Sequence, residues 1–415
     1  MNRREIARLD RELGAYIDEM LEGMGRKERR HAMGSYVTGL LLDGDRKSIE
    51  PMAARLVDDA DEIQAMRQRL QQAVTVANWS DAEIWRRLAT KVERELPGVE
   101  ALVIDDTGFA KKGDHSVGVS RQYSGTLGRV DNCQVAVSLH LASERGSACA
   151  GMRLYLPETW AKDDDRREKA GVPETITFQP KWQIALDLLA AARGWGIANH
   201  VVLADAGYGE ITDFREALAD RGYTYVVGVP GAIGVWAPGT GPIPPSKQPR
   251  AATGRPRTHH LTGDQKPLSV LELAKSLGRK KCRSVAWREG SRGRQSSVFG
   301  AVRVRTSHRH VHGDPPGREQ WLLYEWPKGE EEPTKFFLAN LDADVSIKRL
   351  VFHAKLRWRV ERDYQELKQE IGLDHFEGRS WKGFHHHAAL CAVAHGFLAL
   401  RRALFPPEPT SVDAA

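Results

Sequence analysis

The chain has 415 residues, room for two or three domains and a substantial core. Charge is high but mixed, 61 Lys+Arg against 55 Asp+Glu, giving a net +6 and a pI near 9.1, which only weakly favours a nucleic-acid partner. The four cysteines (Cys133, Cys149, Cys282, Cys391) are scattered and form no CxxC pair, so neither a zinc knuckle nor a disulfide framework is indicated. The charged start Met1-Asn2-Arg3-Arg4-Glu5 lacks a signal-peptide core, and no apolar stretch is long enough to span a bilayer. A cytoplasmic, nucleoid-associated protein with no membrane partner is expected.

Residues 1–95 predict helices. Ile6, Leu9, Leu13 and Ile17 recur at helical spacing, as do Tyr36, Leu40 and Leu41, then Ile63, Met66, Leu70 and Val74. Ser80-Asp81-Ala82-Glu83 reads as a helix N-cap. This arginine-rich helical domain suits DNA binding; dimerisation or scaffolding is the alternative.

From Gly98 the period changes. Val99–Ile104, Gln134–Leu141 and Gly151–Leu156 read as three successive strands, and Gln122-Tyr123-Ser124-Gly125 as a turn between the first two. Lys181–Arg193 is an amphipathic helix. His200–Ala204 is continuously apolar, as in a parallel sheet, and is followed by a helix at Asp213–Arg221 and a strand at Tyr223–Val229. Three strands, helix, strand, helix, strand is the order of a ribonuclease-H-like α/β core, here residues 96–232. Ala237–Arg257, rich in Pro, Gly and basic residues, reads as a loop. Strand-like runs at Lys281–Trp287, Ser297–Thr306, Gln320–Glu325 and Thr334–Leu338 make residues 233–343 a β-rich insertion. Residues 344–405 complete the core with helices at Ser346–Ile371 and Phe384–Phe405, and 406–415 form a disordered tail.

Three acidic patches carry the chemistry. Asp105-Asp106-Thr107 and Ala204-Asp205-Ala206 each put a carboxylate where an apolar strand runs out, and the second, at the end of a parallel strand, sits where open sheets bind ligands. Only one of Asp105 and Asp106 can face a given side of an extended strand. The third patch lies on a helix, where Arg357, Glu361, Tyr364, Gln365 and Lys368 share one face. A carboxylate flanked by an arginine fork and a lysine point charge suits phosphate. Each patch also has a bland reading, as a strand-end turn or a surface ion-pair helix. Lys111 and Lys112 read as DNA-backbone contacts or a solvated loop. His385-His386-His387 point three ways on a helix and do not make a metal site.

Taken together, the motifs Val103–Gly113, Gly118–Gly125, Asn132–Val135, Leu203–Gly209 and Arg357–Glu361 resemble a bacterial insertion-sequence DDE transposase, of the insertion-sequence-four superfamily and its seven-oh-one-like branch. The resemblance implies catalytic, metal-holding acids at Asp106, Asp205 and Glu361, with Arg357 and Lys368 as basic DNA contacts. The superfamily's tyrosine three positions before that arginine is Ala354 here. The resemblance further implies two Mg²⁺ ions roughly 3.5–4 Å apart, with Mn²⁺ as a substitute. The implied partners are double-stranded DNA (terminal inverted repeats and target) and a second copy, forming a homodimer on DNA. The implied reaction is strand cleavage and transfer. The alternatives are a domesticated DNA-binding regulator and a nuclease of the same fold that does not join strands.

Overall fold

The computed structural model describes residues 3–125, 128–248, 257–290 and 293–405. The expected tail at 406–415 and residues 249–256 of the expected loop lie outside them. The chain is mixed α/β and forms two compact units, one made of Met1–Ala198 with Trp358–Ala415, the other of Asn199–Arg357.

The first unit opens with five helices: α1 (Arg3–Leu21), α2 (Lys27–Leu41), α3 (Ile49–Leu56), α4 (Ile63–Gln71) and α5 (Asp81–Glu95). The periodic apolar residues do the burying. Ile17, Tyr36, Leu40, Met66, Leu70 and Val74 are all in the core. The cap at Ser80 forms as its sequence predicts, with Ser80 Oγ accepting from the Glu83 N–H at 3.3 Å.

Four strands follow: β1 (Ala101–Ala110), β2 (Ser120–Ser124), β3 (Arg129–Ala142) and β4 (Ser147–Leu154). β1 runs antiparallel to β3 from Ala101↔Ala142 to Ala110↔Cys133. The other edge of β3 is shared by β2 at one end and β4 at the other. The turn expected at Gln122–Gly125 is therefore mostly strand. Tyr123 sits opposite Val130, an aromatic and β-branched pair that favours extended pairing. Helices α6 (Glu158–Ala161), α7 (Asp164–Ala170) and α8 (Lys181–Gly194) complete this stretch, with α8 packed on β3 and β4.

In the second unit β5 (Val201–Ala204) leads through α9 (Ala206–Gly209) and α10 (Thr212–Asp220) to β6 (Tyr225–Val229), which pairs with β5 in parallel. The β-rich stretch holds β7 (Gly234–Trp236), β8 (Leu268–Ser269), β9 (Arg283–Gly290), β10 (Gly293–Thr306), β11 (Glu319–Glu325) and β12 (Lys335–Ala339), with α11 (Val270–Leu277) after β8. β12 pairs antiparallel with β6, β11 with β12, and β10 with β11, so these strands extend the β5–β6 sheet. Helix α12 (Ile347–Leu356) closes the unit.

The single helix expected over Ser346–Ile371 is divided. Arg357 is a turn residue whose dihedrals stay close to helical (φ −53°, ψ −26°). Beyond it, α13 (Trp358–Gln365) runs into a π-helical turn at Glu366–Glu370, and both belong to the first unit. The last helix, α14 (Trp381–Leu404), is apolar on nearly every side and packs against α2, α5 and β4. Its three consecutive histidines do diverge. His385 Nδ1 lies 2.9 Å from the Trp381 carbonyl, His386 lies between the carbonyls of Val74 and Trp79, and His387 Nδ1 lies 2.8 Å from Tyr36 Oη. Burial lowers the pKa of His386 and His387 to about 4, as expected of neutral core histidines. Among the described residues no helix is long and apolar enough to cross a membrane.

Candidate active site

β1 carries the first acid. Its first four residues are buried, and the strand becomes half-exposed at Asp105 and Asp106. Asp105 turns its carboxylate back on the chain, where Oδ1 accepts the Asp106 N–H at 2.8 Å. Asp106 points its carboxylate to Lys181, whose Nζ donates to Oδ2 at 2.7 Å. Lys181 was not singled out by sequence. It lies 75 positions away, and its one local signal is a cation in the first turn of α8, against the helix dipole.

Glu361 is exposed in the first turn of α13. The residues that follow it fasten this helix to the strands. Asp363 Oδ2 lies 2.6 Å from His140 Nδ1, and Asp363 Oδ1 accepts from Ser147 Oγ at 2.6 Å. Tyr364 Oη bonds Ser138 Oγ at 2.6 Å, and Ser138 stands opposite Asp105 in the sheet. Burial raises the Tyr364 pKa well above normal, and the charges of Asp105 and Asp106 add to it. Tyr364 is one turn beyond Glu361, so this face of α13 packs on β3 at Ser138, opposite Asp105 in the middle of β1.

Lys368 reaches the same strand. Its Nζ donates to the Gly108 carbonyl at 2.7 Å and lies 5.1 Å from the centre of the Phe109 ring. Burial lowers its pKa to about 8, with the Asp374 charge opposing. On the far side of the helix, Glu366 accepts from Arg362 and Arg402 at 2.6 and 2.5 Å and lies 3.1 Å from His395 Nε2. Burial works to raise the Glu366 pKa, yet His395 and the two arginines hold it well below the usual carboxylate range.

Asp205 belongs to the second unit. It ends β5 and caps α9, with Oδ1 accepting the Tyr208 N–H at 3.2 Å. Gly209 lets this turn settle against β6, for a Cβ there would stand 1.9 Å from the Gly228 carbonyl oxygen. Asp106, Glu361 and Lys368 all lie in the first unit, while Asp205 and Arg357 lie in the other. Lys111 Nζ donates to the Phe376 carbonyl at 2.7 Å, and burial lowers its pKa; Lys112 is exposed.

Among the described residues no group of three or more His, Cys, Asp or Glu side chains is gathered to hold a metal ion. The donors at Asp106 and Glu361 are nonetheless hard carboxylate oxygens, the chemistry Mg²⁺ and Mn²⁺ select. Asp106 Oδ2 is ion-paired to the Lys181 ammonium, and it is the carboxylate chemistry of these donors that fits a divalent ion.

The family profile described as DDE superfamily endonuclease matches residues 19–294, more than half of the chain. The chain is 33% identical over 129 residues to a probable transposase for insertion sequence element IS701 from Microchaete diplosiphon. That match spans 31% of this chain and 31% of that protein, so less than a third of the relative's length is covered. Among solved structures, the piggyBac transposase synaptic complex with hairpin DNA aligns over 93% of this chain and 74% of that one, at 11% identity and a TM-score of 0.40.

Proposed function

We propose that this chain, which belongs to the DDE superfamily endonuclease family, is an insertion-sequence transposase that cuts DNA at the ends of its element and joins them to a target. The observation that carries the reading is the fastening of α13 to the sheet. Three residues just past Glu361 are tied to β1 or its neighbour β3: Asp363 to His140, Tyr364 to Ser138 and Lys368 to Gly108. A surface helix would not need them. A catalytic helix would, because a carboxylate must be held within a fraction of an ångström of its working position.

On this reading Asp106, Asp205 and Glu361 are the residues that would hold divalent cations, which supply Lewis-acid stabilisation of charge on a phosphodiester. Lys368 and Arg357 bind and orient the DNA backbone, Arg357 through its planar fork and Lys368 as a point charge. Lys112, exposed beyond the first acid, adds a backbone contact; Lys111 contributes from a more enclosed position. The antiparallel run β1, β3, β4, followed in the chain by the parallel pair β5 and β6, supports a ribonuclease-H-like core. Helices α1–α5 act as the DNA-binding domain. Joining two ends to one target calls for a second copy, and so a dimer on DNA.

The test uses the purified chain, Mg²⁺ and duplexes carrying the inverted repeats that flank its own gene. The expected result is nicking followed by joining. Asp106→Asn, Asp205→Asn and Glu361→Gln should each lose about a hundredfold or more of the cleavage rate. Glu361→Gln cleaving as well as the unaltered chain would overturn the site. Cleavage without joining would favour a plain nuclease, and binding without cleavage a regulator.

A further inference from the structure

Lys181 is held in place more firmly than a surface lysine needs. Pro180 precedes it with φ fixed at −62°, and Lys181 opens α8. The segment just before it is tied down by Arg153 of β4, which donates to Gln179 Oε1 at 2.8 Å and to Asp187 Oδ2 at 3.0 Å. Gln179 Nε2 closes the triangle by donating to Asp187 Oδ2 at 3.1 Å. Ile184, Ala185 and Leu189 bury the inner face of α8. The backbone is thus held from several sides, and the side chain reaches Asp106. At a helix N-terminus its charge meets the positive end of the dipole, so the position costs stability unless an anion compensates. Asp106 Oδ2, at 2.7 Å, is that anion.

We infer that Lys181 is a built-in counter-cation that competes with the divalent metal for the Asp106 carboxylate. The inference rests on the reading of Asp106 as a metal-holding acid. A dication approaching Asp106 must displace the ammonium from Oδ2 or bind beside a like charge. Either way Lys181 weakens metal binding, while keeping the carboxylate neutralised when no metal is present. Lys181 and Asp106 are only about a third and a fifth exposed, so water screens the competition incompletely.

The experiment follows Mn²⁺ binding to the full chain in the absence of DNA, by loss of the free-ion electron paramagnetic resonance signal, with thermal shift against Mg²⁺ as a second readout. Neither measurement depends on turnover. Lys181→Met should lower the half-saturating Mn²⁺ concentration by about threefold or more. Lys181→Arg keeps the charge and should stay within about twofold of the unaltered chain. Asp106→Asn should weaken binding, and Asp106→Asn/Lys181→Met should lose the gain. Lys181→Gln is a second neutral variant should Lys181→Met fold poorly. Neutral variants that bind Mn²⁺ no more tightly than the unaltered chain, while Asp106→Asn binds it more weakly, overturn the inference and leave the metal-site reading standing. If Asp106→Asn binds Mn²⁺ as well as the unaltered chain, Asp106 is not a ligand and both fall.

Discussion

His140 Nδ1 lies 2.6 Å from Asp363 Oδ2, and both side chains are buried. The pair joins a central strand to the helix that carries Glu361. Burial alone favours a neutral ring, but the neighbouring Cys149 sulfur and the Asp363 carboxylate raise the His140 pKa to about 10. A histidine whose folded pKa exceeds its unfolded value stabilises fully below the unfolded value, near 6.5, and loses that contribution as pH climbs through the folded one. Asp363→Asn leaves an uncompensated buried partner and should cost about 3 kcal/mol. Denaturant unfolding of the two chains should show the largest gap below about pH 6.5, narrowing toward about pH 10. A gap that widens with pH would sink the assignment.

Lys368 titrates in the opposite sense. With its pKa pushed down to about 8, it is charged at neutral pH and loses that charge as pH passes 8. In the unfolded chain it stays protonated to higher pH, so its contribution to stability rises between the two values. Its contribution to DNA binding falls over the same range. The slope of log affinity against log salt should become shallower by about one unit between pH 7 and 9. Lys368→Arg, which keeps its charge, should show no such change, and equal slopes for the unaltered chain at both pH values would count against a phosphate contact.

Much of this architecture could be read from local pattern. The run before Asp205 is β5, and the helical spacing around Leu70 and Val74 marks buried faces, whereas β1 does not run out at Asp105 but continues paired with β3 to Ala110, so the first acids sit within the strand. What could not be read is pairing across long separations. His140 and Asp363 are 223 positions apart and Tyr364 and Ser138 are 226 apart, and no periodicity links them. Lys181 escaped notice for the same reason. The division at Arg357 was also hidden, because no proline or glycine marks it and its dihedrals remain nearly helical. The strand at Ser120–Ser124 was obscured by its Gln-Tyr-Ser-Gly composition, which resembles a turn until Tyr123 is seen opposite Val130.

The turn that holds Asp205 offers a packing test. A Cβ at Gly209 would meet the Gly228 carbonyl oxygen at 1.9 Å, a backbone atom that cannot rotate away. At Gly207, which is exposed, the nearest atom is Asp205 Oδ1 at 3.3 Å. Gly209→Ala should therefore destabilise by about 1–3 kcal/mol and take cleavage with it. Gly207→Ala should leave the melting temperature nearly unchanged. Equal melting temperatures for the two variants would mean that the turn does not need this close approach.

The adjacent acids of β1 separate by what their carboxylates do. Asp105 Oδ1 accepts the N–H of the very next residue, within the strand. Asp106 Oδ2 reaches across to a cation on α8. Replacing Asp105 with Asn keeps an acceptor oxygen for that N–H, so cleavage should fall by about tenfold or less, an amount consistent with a small shift in position. Asp106→Asn removes the charge that faces the cation, and raising the Mg²⁺ concentration should not restore cleavage. Rates measured for both variants across a Mg²⁺ series distinguish the roles. Were Asp105→Asn the inactive variant and Asp106→Asn the active one, the metal-holding acid would be Asp105, and Lys181 would be guarding the wrong carboxylate.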